Sequence, residues 1–140
     1  MSRAARLQPV SQLAERRVSS AQQGFAAAQE ALQQARGQRD ELVGYLADYL
    51  TPAQGTVGAQ MLAARGEFVQ KLQVALAQQQ DLITQLQAEA DGALGELQQA
   101  QLRLGGIDRY ISECAGKERR MAGRRENREI NDRPVVRRGF

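Results

Sequence analysis

Apolar residues recur at alternating steps of three and four from Leu7 to Met121, with one break around Pro52. The first run reads Leu7, Ala14, Val18, Ala21, Phe25, Ala28, Leu32, Ala35, Leu42, Leu46 and Tyr49, interrupted by Ser11 and Arg39. The second reads Val69, Leu72, Leu76, Ile83, Leu86, Ala90, Ala93, Leu97, Ala100, Leu104, Ile107, Ile111, Cys114 and Met121, with Gln79 and Glu118 as its polar interruptions. A period of 3.5 residues keeps a narrow apolar stripe facing one partner and so specifies a coiled coil. Two such runs joined by a short Pro/Gly segment predict an all-α fold, a long antiparallel two-helix coiled-coil hairpin whose second helix is the longer. Such a fold offers no pocket, so function is expected on its surfaces and ends.

The boundaries follow from proline and glycine chemistry. Proline is tolerated in the first turn of a helix and not later, so Pro9 predicts a first helix over about 8–50. Thr51-Pro52-Ala53-Gln54-Gly55-Thr56 supplies the stop, because the residue before a proline is pushed out of the helical region. The turn is expected over about 51–57 and the second helix over about 58–129, with 1–130 forming one domain and 131–140 a flexible basic tail beyond Asn131-Asp132-Arg133-Pro134. A mid-helix Gly105-Gly106 pair marks the expected bend. At about 1.5 Å per residue the first helix would span about 63 Å and the second more than about 100 Å. Folding at the turn then pairs Pro9 with a residue near Ala100. Leu104, Ile107, Ile111, Cys114 and Met121 would overhang, covered either by the leading residues or by another protein.

Composition excludes several classes. The 140 residues contain no His, which removes the commonest metal ligand and the commonest acid–base group. Nothing pairs a nucleophile with a base, and the glycines match no phosphate-binding spacing, so no enzymatic activity, no cofactor and no small-molecule ligand is expected. The lone Cys114 sits on the seam and reads as a small buried hydrophobe. No apolar stretch is long enough for a membrane span and no secretory leader is apparent, which gives a cytoplasmic expectation.

Charge is segregated. Residues 1–17 carry net +3, residues 116–140 net +5, and the intervening body net −5. An antiparallel hairpin brings both termini to one end, so a basic pole is expected from Arg3, Arg6, Arg16, Arg17, Lys117, Arg119, Arg120, Arg124 and Arg125. Such a pole steers that end toward an acidic partner. Apolar residues flanking the seam are surplus to a two-stranded coil, and here they gather near the turn: Val43, Tyr45, Leu50, Phe68, Ala75 and Leu82. By heptad position Gln38, Tyr45, Phe68 and Ala75 should line a common face edged by Leu42, Leu72 and Gln79. The residues there either thicken the packing next to the turn or form an exposed docking patch with Tyr and Phe as anchors.

These same residues carry a family resemblance. Leu42-Val43-Gly44-Tyr45-Leu46-Ala47-Asp48-Tyr49 resembles the Leu-x-x-Tyr-x-x-x-Tyr segment of the FliJ family of flagellar type III export proteins. The stretch Glu67 to Gln79 resembles that family's Phe-x-x-x-Leu-x-x-Ala segment, and Leu13-Ala14-Glu15-Arg16-Arg17-Val18 its opening helix. The resemblance implies a hairpin shaped like the stalk of rotary ATPases. Its end bearing both termini would enter a hexameric export ATPase, and its other part would dock on the cytoplasmic domain of the membrane-embedded export gate FlhA. The family's gate-binding positions fall on Gln38, Leu42, Tyr45, Tyr49, Phe68, Leu72, Ala75 and Gln79. It further implies an association with the inner membrane at the export apparatus and encounters with export chaperones. Asn131-Asp132-Arg133 followed by Pro134 departs from the family's acidic C-terminal segment.

Three other readings compete. The related YscO-like stalk of virulence secretion systems has a similar shape, and a plain structural coiled coil is the simplest. The high pI also suits nucleic-acid binding, but the Arg-rich segment is interspersed with Glu118, Glu126 and Glu129 and has no aromatic platform. No nucleic-acid partner is therefore expected.

Overall fold

The computed structural model describes residues 2–51, 55 and 58–132. Two α-helices account for almost all of them, α1 over Arg3–Leu50 and α2 over Ala59–Asp132, and no strand occurs among the described residues. Two compact units are distinguished, one built from residues 1–19 and 98–140 and the other from 20–97, and each takes a segment from both helices.

In the 20–97 unit the side-chain amide of Gln79 reaches the backbone of Ala35, and Tyr49 meets Phe68. Residue numbers rise on one helix as they fall on the other, so the segments run antiparallel. The same holds in the second unit, where Ser11 meets Asp108 and Arg3 meets Glu118. Among the described residues the buried ones are Ser11, Ala14, Leu32, Ala35, Leu72, Ile83, Ala90, Leu97, Ile111 and Cys114, each a seam position of the 3-4 pattern. Leu32, Ala35, Ile83 and Ala90 form a contiguous cluster flanked by Ala28 and Leu86. Small Ala side chains let the backbones approach, and the Leu and Ile side chains supply roughly 1.5–3 kcal/mol each when fully buried. The fold is the expected one, all-α with two antiparallel helices and the second the longer.

Polar interruptions of the seam turn out to be cross-helix contacts. The buried Ser11 hydroxyl donates to Asp108 Oδ1 at 2.6 Å. Gln79 Nε2 donates to the Ala35 carbonyl at 2.8 Å and to Gln38 Oε1 at 3.1 Å. Glu118 Oε1 accepts from the amides of Arg3 at 2.8 Å and Ala4 at 3.4 Å. Arg39 is the exception, pairing along its own helix with Asp40 at 3.0 Å. An Ala-rich seam fits itself almost as well after a one-heptad slip, and each cross-helix polar pair is satisfied in a single alignment only.

Two sequence expectations are corrected. The first helix starts at Arg3, and Pro9 lies inside it. An interior proline costs about 3 kcal/mol relative to Ala. Opposing that cost, Ser2 Oγ accepts from the Ala5 amide at 3.1 Å, and Glu118 takes the amides of Arg3 and Ala4. The orphan donors of the first turn thus find acceptors, and a carboxylate at a helix N-terminus is favoured by the dipole. The second correction concerns the overhang. With α1 extended to Arg3, its leading residues cover α2 as far as Glu118: Leu104 and Ile107 are half-buried, Ile111 and Cys114 are buried, and only Met121 of that stripe is exposed. Of the two coverings considered, the intramolecular one holds.

Near the turn, Gly55 has φ +104°, a conformation that glycine alone adopts without strain. The rest of the expected turn apart from Thr51, and the basic tail from 133 onward, lie outside the described residues. The second helix is unbroken through Gly105-Gly106.

Candidate docking surfaces

The eight residues matched to the gate-binding set all belong to the 20–97 unit, and the structure gives them different environments. Leu72 is buried in the seam, while Leu42, Ala75 and Gln79 are half-buried. Gln38, Tyr45, Tyr49 and Phe68 are exposed, the three aromatics by 55%, 39% and 42% respectively. Cross-helix contacts assemble part of the set. Gln79 bonds Gln38, and the rings of Tyr49 and Phe68 lie with centroids 4.6 Å apart at an interplanar angle of 50°. That geometry is within the favourable range for tilted aromatic pairs. The rings therefore contact one another across the two helices and still present much of their surface to solvent. Val43, Leu50 and Leu82, which also flank the seam here, are exposed as well.

Three further residues belong to this region. Arg65 donates from Nε to the Tyr49 carbonyl at 2.9 Å and from Nη2 to the carbonyls of Thr51 at 2.9 Å and Asp48 at 3.3 Å. Its guanidinium carbon also sits 5.5 Å from the Tyr49 ring centroid. Heptad reading passed over Arg65, although the signal was present. Seven residues before Leu72, it occupies a seam position where an apolar side chain is the norm. Met61 and Leu62, in the first turn of α2, are 70% and 55% exposed.

The other unit holds all nine basic residues assigned to the pole, and all are exposed. Its sequence carries fifteen Lys/Arg against seven Asp/Glu, net +8, while the 20–97 unit carries four against nine, net −5. Arg119 and Arg120 lie beside Gly116, whose missing Cβ leaves their guanidinium groups at 4.0 and 3.9 Å from the point it would occupy. Glu118, which directly precedes them, faces the start of α1 and accepts from its first amides.

Among the described residues no three His, Cys, Asp or Glu side chains gather where they could hold a metal. No described helix is long and apolar enough to cross a membrane. What the molecule does present is two surfaces, an aromatic flank on an acidic unit and an exposed basic cluster.

Comparison with known proteins adds one finding. No curated protein and no solved structure matches the chain. A family model described as "Flagellar FliJ protein" matches residues 2–132, a span that takes in both helices, the aromatic flank and the basic cluster. The chain belongs to the FliJ family of flagellar proteins, and with it to the machinery of flagellar type III export.

Proposed function

We propose that the chain links the hexameric flagellar export ATPase to the export gate, using the basic unit for the ATPase and the aromatic flank for the cytoplasmic domain of FlhA. The observation that carries this reading is the exposed, cross-helix ring pair of Tyr49 and Phe68, on the segments that resemble the family's gate-binding motif. Partly exposed aromatics held in one geometry are the usual anchors of protein interfaces. Leu72, buried at 8% exposure, serves by holding the seam beneath the flank, and Tyr45 supplies a further anchor. For the ATPase, the net charge of +8 on the second unit favours encounter with an acidic surface and makes that encounter sensitive to salt. The chain performs no chemistry in this scheme, and encounters with export chaperones at the gate follow from its position there. Being held by the gate on one side, it stays at the inner membrane without a span of its own.

Two assays test the two halves. Tyr45→Ala and Phe68→Ala should each weaken binding to the FlhA cytoplasmic domain by more than about 1 kcal/mol while leaving helicity intact. Unchanged affinity in both variants would remove the gate half. Adding the chain to the ATPase should stimulate hydrolysis at low salt, and neutralising Arg119, Arg120, Arg124 and Arg125 together should abolish the stimulation. No stimulation by the unaltered chain, or full stimulation by the neutralised one, would remove the ATPase half.

A further inference from the structure

The last carbonyls of a helix have no intrahelical donor and carry the negative end of its dipole. At the end of α1 the Ala47 carbonyl is taken by the Thr51 amide at 3.1 Å and hydroxyl at 2.9 Å. Those of Asp48, Tyr49 and Thr51 are taken by one side chain from the other helix, Arg65. A guanidinium is permanently charged and planar, with five donors in a fixed fork, so it can bond several carbonyls and still lay its face on a ring. Arg65 does both. The Tyr49 ring consequently has Arg65 within cation–π distance and Phe68 as its aromatic neighbour.

That arrangement is unusual for its position. Tyr49 and Phe68 are 39% and 42% exposed, and exposed aromatics ordinarily exchange rotamers freely. Arg65 is itself half-buried, which limits its own freedom. Fixing the backbone on which Tyr49 is carried, and contacting its ring, removes motion that a partner would otherwise have to freeze on binding. A lysine would keep the charge at the helix end but lacks the fork and the flat face.

We propose that Arg65 is the positioning residue of the aromatic docking flank, holding Tyr49 against Phe68 before the partner arrives. This rests on the reading of Tyr49 and Phe68 as gate-binding residues. Arg65 need not touch the partner. Its effect is to present the two rings already in contact.

The test uses the full chain with Arg65→Met and Arg65→Lys, with Phe68→Ala as comparator. The chain has three Tyr and three Phe, so ring-proton NMR with selectively labelled aromatics resolves the Tyr49–Phe68 contact directly. Arg65→Met should lose the ring-to-ring cross-peaks and weaken binding to the FlhA cytoplasmic domain about tenfold, with far-UV helicity unchanged. Arg65→Lys, which keeps the helix-end charge and guards against a folding defect, should fall between the two. Retained cross-peaks in Arg65→Met overturn the proposal. So do lost cross-peaks with wild-type binding while Phe68→Ala still weakens it, a result that leaves the docking reading standing. Unchanged binding by Phe68→Ala overturns the positioning role, and unchanged binding by Tyr45→Ala as well, or no binding by the unaltered chain, overturns the docking reading with it.

Discussion

Replacing Gly105 and Gly106 together by alanine should stabilise the protein, and the size of the effect can be worked from the structure. Both lie inside α2, both are exposed, and a Cβ built at either meets nothing within 4 Å. No clash opposes the change and no new burial assists it, so what remains is the backbone term. Glycine in a helix interior is about 0.8–1 kcal/mol worse than alanine, and with no shared contacts the two gains add to about 2 kcal/mol. For a chain of this size that raises the melting temperature by about 6–8 °C. Thermal melts followed by far-UV circular dichroism measure it. The control is Gly55→Ala, the same atoms added where φ is +104°, which should instead cost about 1–2 kcal/mol. A double variant that melts at or below the wild-type temperature would contradict an unbroken, solvent-facing helix at Gly105-Gly106.

Other perturbations separate the seam from the surface. Leu32→Ala should cost about 2–4 kcal/mol, because Leu32 is 5% exposed and belongs to the central cluster, while Leu102→Ala, at 77% exposure, should change stability by less than about 0.5 kcal/mol; urea denaturation of both measures the contrast. Glu118→Gln should cost about 0.5–2 kcal/mol and raise amide exchange of Arg3 and Ala4, whose N–H groups its carboxylate accepts, without altering exchange in the 20–97 unit. Mass-resolved hydrogen exchange reads both effects, and uniform protection across the variant would count against the cap.

Much of this fold is legible in the sequence because a 3.5-residue period has one physical use. Among the described residues every buried apolar side chain, from Ala14 to Cys114, belongs to the stripe read by counting threes and fours, and the buried Ser11 is one of its polar interruptions. Helix ends near the turn were legible too, since Pro52 disfavours helical conformation just before it and α1 stops at Leu50. The start of α1 was not. Pro9 argues locally for a beginning, and the acceptor that overrides it, Glu118, lies 115 residues from Arg3. The register itself is set by cross-helix contacts such as Ser11 with Asp108, and in that register the leading residues of α1 cover Ile111 and Cys114, where an overhang beyond Ala100 was expected. Long-range polar contacts have no period, which is why Ser11 and Gln79 read as interruptions although each bonds across the seam. The aromatic flank was visible as surplus apolar residues beside the seam. Arg65 was visible only as a charge out of place, because its function depends on where the other helix ends.

The antiparallel alignment of the two helices underlies both docking surfaces, and a distance across them tests it most directly. Arg36 Nη2 donates to Gln87 Oε1 at 2.7 Å; Arg36 is exposed and Gln87 half-buried, and neither belongs to the buried seam, so both positions accept spin labels. With Cys114 replaced by alanine and labels introduced through Arg36→Cys and Gln87→Cys, pulsed electron resonance on dilute monomer should give a narrow distribution below about 20 Å, since paired helices lie about 8–10 Å apart. These positions are 51 residues apart in sequence. One continuous helix would hold the labels roughly 75 Å apart at about 1.5 Å per residue. A distribution centred beyond about 50 Å would contradict the pairing and remove both surfaces with it.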